Sequence, residues 1–316
     1  MTERLRTIHP DSTLGFDRTV PPAAVNRRST GEVFVTDSDR VAPDEFVVAL
    51  RVPRGHALWS DLRAPWHDTV STVEAFRQAF AVVRHEYLDI PRGTPSSLQR
   101  VALSVDDLDV YRDDGVSPLD GVVRVRVTRS GARGAFDIAG TFTVGSAVAM
   151  TLSFSSILIP RASYAEIRAY QRSRKPAGGA PSPEAGRVDP ASVGRRDPAN
   201  VVIGRAASRP DRFPVVVDRT HPSFFDRDYD HVPGSLLIEA MRQGVLVTSG
   251  EAGLLPADAT ITRAEFDFQA FVELDAPAEC TVSVTGGPAP RVAASVGVDQ
   301  HGGRVAGGTL ELTAYE

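Results

Sequence analysis

The sequence predicts an α+β protein built twice over, each copy an antiparallel sheet wrapped around one long central helix. Three observations carry this expectation. A Glu-Ala-x-Arg-Gln signature occupies Glu74–Gln78 and recurs at Glu239–Gln243, 165 positions later. Each signature lies in a long apolar run of helical character, and strand-like runs follow it. A stretch rich in Pro, Gly, Ser and Arg separates the two copies.

The repeat extends beyond the signature. Arg54 and Arg219, His56 and His221, Asp61 and Asp226, and Pro91 and Pro256 fall on the same ungapped offset, and Trp59 and Phe224 keep an aromatic at equivalent places. Charged residues in register over such a span point to duplication. The 316 residues divide into an N-terminal extension (1–24), a first domain (25–171), a flexible linker (172–199) and a second domain (200–316). The linker reading rests on composition: the segment has too little apolar side chain to order itself.

In the first copy, extended stretches are expected at Val33–Thr36 and Phe46–Val52, then a helix at about Val70–Leu88. Strands follow at Val101–Val105, Gly121–Thr128, Ala135–Val144 and Ala147–Ile159, with a short helix at Ala162–Arg172. Val123-Arg124-Val125-Arg126-Val127 shows the period-two pattern of a half-buried strand. In the second copy the extended stretches are Val201–Gly204 and Val215–Val217, and the helix is Gly234–Gly253. Its strands are Ile261–Phe271, Cys280–Thr285, Arg291–Val298 and Gly307–Thr313. One long helix embedded among antiparallel strands is the hotdog plan, so the fold class is a tandem, double hotdog. A helix enclosed by a sheet is apolar nearly all round, as Val70, Val73, Phe76, Phe80, Val82 and Val83 are in one copy and Leu236, Leu237, Ile238, Met241, Val245 and Val247 in the other. Two such domains are expected to pair their sheets edge to edge, as a monomeric pseudo-dimer or a homodimer.

Composition narrows the function. The formal charge of −5 and the pI near 5.8 give no basic field for a nucleic-acid backbone. Cys280 is the single cysteine, which leaves no internal disulfide and no thiolate metal cluster; it is expected to be a buried strand residue. No apolar h-region follows Met1 and no run of about 18 apolar residues occurs, so the expected location is cytoplasmic, without a membrane partner. His67 and His231 have no carboxylates at metal-ligand spacing, so neither a metal nor a cofactor is expected.

The chemically informative residues are polar groups on helices that ought to be buried. Glu239, Arg242 and Gln243 share one helical face, as do Glu74, Arg77 and Gln78. A carboxylate removed from water must be paired or shift its pKa, and a tuned carboxylate suits general-base work. The neighbouring Arg offers a planar fork for phosphate or an oxyanion. The bland alternative is an intrahelical ion pair, with one copy merely structural. At the second helix entry, His231-Val232-Pro233-Gly234-Ser235, Pro near the first turn fits a helix start, and the first amides can polarise a carbonyl. His56 and His221 lie 18 residues before their Glu, as a base or substrate ligand or as loop histidines that bond backbone.

The run from His221 to Gln243, with Asp226, Asp230, His231, Gly234, Glu239 and Arg242, resembles the second repeat of the A-factor biosynthesis (AfsA-type) family, tandem-hotdog proteins of actinobacteria. His67-Asp68 followed by Glu74, Arg77 and Gln78 resembles the first repeat, and the likeness covers about 25–168 and 200–316. The same run is distantly similar to β-hydroxyacyl-carrier-protein dehydratases. Here Asp226-Arg227-Asp228 stands where AfsA-type proteins usually show Asp-His-Pro, which argues against dehydration. Thr69-Val70-Ser71 and the stretch 94–101 also depart from the family pattern.

The resemblance implies an acyltransferase that joins a β-ketoacyl group, carried on acyl carrier protein, to the hydroxyl of dihydroxyacetone phosphate, on the way to γ-butyrolactone, butenolide or furan signalling molecules. In that scheme Glu239 takes the hydroxyl proton, Arg242 holds phosphate or ketoacyl oxygens, and amides near Gly234 polarise the thioester. Glu74 and Arg77 form a second site or complete the first. His231, Gly234, Ser235, Gln243, Gln78, His221, His56 and Arg227 are the candidate substrate-binding residues. The alternatives are another hotdog enzyme of secondary metabolism (a thioesterase, dehydratase or cyclase) and a non-catalytic acyl-binding module.

Overall fold

The computed structural model describes residues 6–9, 12–131, 134–176, 186–205, 209, 211–287 and 290–315. In chain order the strands are β1 (Arg6–His9), β2 (Ser12–Leu14), β3 (Val35–Ala42), β4 (Glu45–Val52), β5 (Ser96–Val105), β6 (Leu119–Arg129), β7 (Ala135–Val144), β8 (Ala147–Leu158), β9 (Arg212–Pro214), β10 (Thr260–Phe268), β11 (Ala278–Gly286), β12 (Arg291–Gln300) and β13 (Gly303–Thr313). The helices are α1 (Thr69–Glu86), α2 (Arg161–Ser173) and α3 (Gly234–Glu251). None of the described helices is long and apolar enough to cross a membrane. The chain forms two compact units: residues 1–60, 65–97 and 103–160 in the first, and 61–64, 98–102 and 161–316 in the second, so β5 is divided between them.

In the first unit the strand order is β3-β4-β6-β7-β8, every neighbouring pair antiparallel. The β6 alternation sends Val123, Val125 and Val127 inward, while Arg124 and Arg126 reach the carboxylate of Glu45 on β4. α1 is buried on almost every side, with Arg77 and the last residues left partly exposed. Its enclosure is tight: a Cβ on Gly140 of β7 would lie 2.3 Å from the Phe76 ring, so only glycine fits there. The helix starts where the Asp68 carboxylate accepts the amide of Val70 at 3.0 Å, and Arg84 in its last turn suits the negative end of the dipole.

In the second unit the order is β10-β13-β12-β11-β9, again all antiparallel. α3 is also enclosed, burying Leu236, Leu237, Ile238, Met241, Val245 and Val247. Gly244 brings it close to β11, since a Cβ there would meet Val282 at 2.9 Å. Cys280 on β11 is buried beneath the same helix, its Sγ 3.6 Å from the Ala240 carbonyl, and burial pushes its thiol up to about 12. α3 begins at Pro233, which supplies no side-chain cap, and ends before Gly253 at φ +67.

Two expectations need correction, and a third is sharpened. The short helix assigned to the end of the first domain is α2 of the second unit, drawn there by Arg168, whose guanidinium is buried against Glu273 and Asp230. The solvated linker does not extend to residue 199. Pro190–Val193 and Pro198–Asn200 form 3₁₀ turns capped by Asp189 and Asp197, with Val193 and Arg195 fully buried; residues 177–185 of that linker lie outside the described residues. Finally, the extended stretches Val201–Gly204 and Val215–Val217 pair only through single bridges, and the regular strand of this region lies between them. Single bridges join Ile203 to Val215 and Arg187 to Gly204, and the strand beside β11 is Arg212–Pro214. A buried charge and its caps order a polar segment that composition alone assigns to solvent.

Candidate functional site

The helical signature is brought together in both units, but as a closed clamp. In α3, Glu239 Oε1 accepts from Arg195 Nη2 at 2.9 Å, Arg242 Nη2 at 2.7 Å and Gln243 Nε2 at 2.6 Å, while Oε2 accepts from Arg242 Nε at 2.9 Å. Gln243 also pins backbone: its Nε2 donates to the Asn200 carbonyl at 2.7 Å and its Oε1 accepts the Val202 amide at 2.9 Å. The first unit repeats the same set of partners. Glu74 accepts from Arg27, Arg77 and Gln78, and Gln78 bonds the Glu32 carbonyl and the Phe34 amide at 2.8 and 2.9 Å.

Glu239 is 0 % exposed and Glu74 4 %. Burial alone would raise both carboxyls. The guanidiniums of Arg195 and Arg242, and of Arg27 and Arg77, outweigh it and hold both well below the usual carboxylate range, Glu239 at about 2. Carboxylates this low, with their lone pairs taken by Arg and Gln donors, are poor proton acceptors. The structure thus places Glu239 and Glu74, expected as bases, and Gln243 and Gln78, expected to meet substrate, in closed clamps that tether the segment before each sheet to the central helix. Arg242 is likewise buried, whereas the Arg77 side chain keeps 30 % exposure.

The sequence reading missed Arg27 and Arg195, although a signal was present. Pro22-Ala-Ala-Val-Asn-Arg27 and Pro190-Ala-Ser-Val-Gly-Arg195 match, each a 3₁₀ turn with Asn26 or Gly194 in the left-handed region, followed by the arginine. The spacing hid it. Arg27 lies 47 residues before Glu74, but Arg195 only 44 before Glu239, so an ungapped search does not align them.

His56 and His221 form a second conserved pair of contacts. Nδ1 of His56 accepts the amides of Leu58 and Trp59, and Nδ1 of His221 those of Ser223 and Phe224, at 3.1–3.2 Å. Nε2 of His221 donates to Asn200 Oδ1 at 2.9 Å, and Nε2 of His56 lies 3.2 Å from Glu32 Oε1. Both rings are buried and bond the loop backbone around them.

The more open constellation stands at the start of α3. His231 Nδ1 lies 2.7 Å from Asp230 Oδ1, and the two side chains are 21 % and 38 % exposed. Asp230 also accepts from the Tyr164 hydroxyl and from Arg168 Nε, both at 2.9 Å. The His231 ring packs 4.5 Å from that of Phe271 and edge-on to Tyr229, over which Arg227 stacks at 4.7 Å. Gly234 and Ser235 are half-buried in the first turn, where amides lack intrahelical partners. A Cβ at Gly234 would make only ordinary contacts, with Phe268 and Leu98. Tyr164, Arg168, Phe271 and Glu273 carried no local motif; only the fold brings them to Asp230 and His231.

The equivalent place in the first unit differs. Asp68 caps the helix with its own carboxylate, Trp66 lies under Arg112 at 4.4 Å, and burial holds His67 below the usual histidine range.

Comparison with known proteins agrees with the duplicated architecture. A family model described as A-factor biosynthesis hotdog domain matches residues 8–160 and 179–316. A 2-oxo-3-(phosphooxy)propyl 3-oxoalkanoate synthase of Streptomyces coelicolor is 28 % identical over 85 % of this chain and 83 % of its own length, and one of Streptomyces virginiae is 29 % identical over 82 % and 85 %. Among solved structures, an oleoyl thioesterase of Lactobacillus plantarum superposes with a TM-score of 0.52 at 10 % identity, covering 86 % of this chain and 97 % of that one. The dehydratase domain of RzxB from Pseudomonas fluorescens gives 0.50 at 12 %, covering 88 % and 98 %. At that identity they report the double hotdog fold alone. With both halves matched, the chain belongs to the A-factor biosynthesis (AfsA) hotdog family.

Proposed function

We propose that the protein transfers a 3-oxoacyl group from a carrier-bound thioester to the hydroxyl of dihydroxyacetone phosphate. The observation that carries this reading is the family match across both halves, together with relatives named for that ester: the 2-oxo-3-(phosphooxy)propyl group is dihydroxyacetone phosphate joined through its hydroxyl oxygen. Acyl carrier protein is the proposed donor.

The start of α3 supplies the chemistry in this reading. His231, oriented by Asp230, takes the hydroxyl proton on Nε2. The freed oxygen attacks the thioester carbonyl, and the developing oxyanion lies against the first-turn amides of Gly234 and Ser235. Collapse breaks the C–S bond, and the proton on Nε2 passes to the leaving thiolate. Arg227 is the proposed partner for the phosphate or ketoacyl oxygens. Glu239 and Arg242, given the base and phosphate roles on sequence grounds, are assigned here to holding α3 in place.

The test is mass spectrometry of a β-ketoacyl carrier protein incubated with dihydroxyacetone phosphate and the protein. The expected product is the phosphorylated ester with release of the free carrier thiol. Free 3-oxo acid, or an unchanged thioester, overturns the proposal.

A further inference from the structure

Asp230 is held by more than the histidine beside it. Its two carboxylate oxygens accept from His231, from the Tyr164 hydroxyl and from Arg168 Nε, and its backbone carbonyl accepts from Arg168 Nη2 at 3.3 Å and Arg172 Nη2 at 2.6 Å. Arg168 is only 4 % exposed. Its other two nitrogens grip Glu273 at 3.1 and 2.7 Å, and its plane stacks 4.4 Å from the centre of Phe271, the ring that also supports His231. Lys175 completes the charge balance at Glu273. A guanidinium buried in this way is fixed in one orientation, and through it so is the carboxylate.

We infer that Tyr164 and Arg168, both on α2, are positioning residues for His231: they hold Asp230 ionised and in one orientation, which places the proton on His231 Nδ1 and leaves Nε2 as the acceptor. The inference rests on the proposed role of His231, but its physical content does not require turnover. Two of the hydrogen bonds to the Asp230 carboxylate come from α2 and the third from His231, so each α2 donor removed leaves the carboxylate freer to turn away from Nδ1. The Tyr164 phenol, pushed up to about 12 first by burial and then by its bond to Asp230, remains a donor. Removing the Arg168 guanidinium or the Tyr164 hydroxyl therefore loosens the hold on the Nδ1–H tautomer.

The experiment reads the imidazole nitrogen signals by NMR on the full chain labelled at histidine nitrogen, under conditions where the rings are neutral, with His231 assigned by its loss in His231→Gln. In the unaltered protein the neutral His231 is expected as the Nδ1–H tautomer. Tyr164→Phe and Arg168→Gln are expected to turn it into a mixture of tautomers, whereas Arg168→Lys, which keeps the charge, leaves it nearer the original form. Should Arg168→Gln fail to fold, the isosteric Tyr164→Phe decides alone. An Nε2–H tautomer in the unaltered protein, or a tautomer that neither variant changes, overturns the inference. Turnover separates the parent reading: wild-type activity in His231→Gln removes the base role and leaves the tautomer result standing. Loss of activity there, with unchanged tautomers in the other variants, removes only the inference.

Discussion

The two central helices agree in their middles and differ at their starts. Along α1 and α3 the same Glu, Arg and Gln take the same partners: an arginine from the preceding 3₁₀ turn and two backbone groups of the segment that follows it. At the starts, Asp68 closes α1 with its own carboxylate, while Pro233 leaves α3 without a side-chain cap and the His231–Asp230 pair stands before it. A negative cap at α1 occupies the amides that an oxyanion would need, whereas those at α3 keep that capacity. The tether is present in both units, and in the proposed reading only the second helix start carries the chemistry.

The sharpest way to break this contrast is to remove each histidine. His231→Ala is expected to lower turnover by about 10²–10⁴-fold, and His67→Ala to leave it within a few-fold; equal losses, measured as initial rates of ester formation, would abolish the asymmetry. Next is the tether. Arg195→Met and Arg27→Met each leave a buried carboxylate short of a partner and should cost about 3–5 kcal/mol in urea unfolding, with similar values in both units. The tether also sets an acid limit. The Glu239 carboxyl is depressed in the folded protein, so its stabilisation is complete above its ordinary value of 4.5 and is lost as pH falls toward about 2. The acid limb of the unfolding midpoint should therefore be shallower in a paired Glu239→Gln, Arg195→Met variant.

The helix starts can then be exchanged. Pro233→Asp places a carboxylate where the oxyanion is proposed to form, and turnover should fall about 10²-fold with no loss of stability. The reciprocal Asp68→Ala should cost about 1 kcal/mol of stability and leave turnover intact. The smallest effect is expected at Arg77→Ala, about 1 kcal/mol or less, because Arg27 still pairs Glu74 and Arg77 is partly solvated. A cost matching that of Arg242→Ala would show that exposure does not distinguish the two clamps.

Much of the fold was legible because burial leaves periodic marks. The β6 valines alternate with arginines, and both central helices are apolar on most faces; both elements were located within a few residues of their ends. The ends themselves were harder. Val215–Val217 reads as an extended stretch, but the regular strand is β9 just before it, because the residues that pair with β11, more than sixty residues later, are Arg212–Pro214. The candidate site was half legible. His231, Gly234, Ser235 and Arg227 sit together at one helix start, whereas Tyr164 and Arg168 reach Asp230 from 62–66 residues before it, Glu273 joins through Arg168 from beyond α3, and no local pattern marks these three.

By itself the sequence determined the repeat, the two enclosed helices and the presence of a Glu-Arg-Gln triad on each, because a repeat and an amphipathic period are properties of neighbours along the chain. Tertiary structure alone decided what those charges do. A carboxylate on a buried helix is a base or a structural pin according to how many donors surround it, and here the deciding donors, Arg27 and Arg195, come from more than forty residues upstream. Whether a polar residue is free to react is set by who fills its lone pairs, and that is known only once the chain has closed around it.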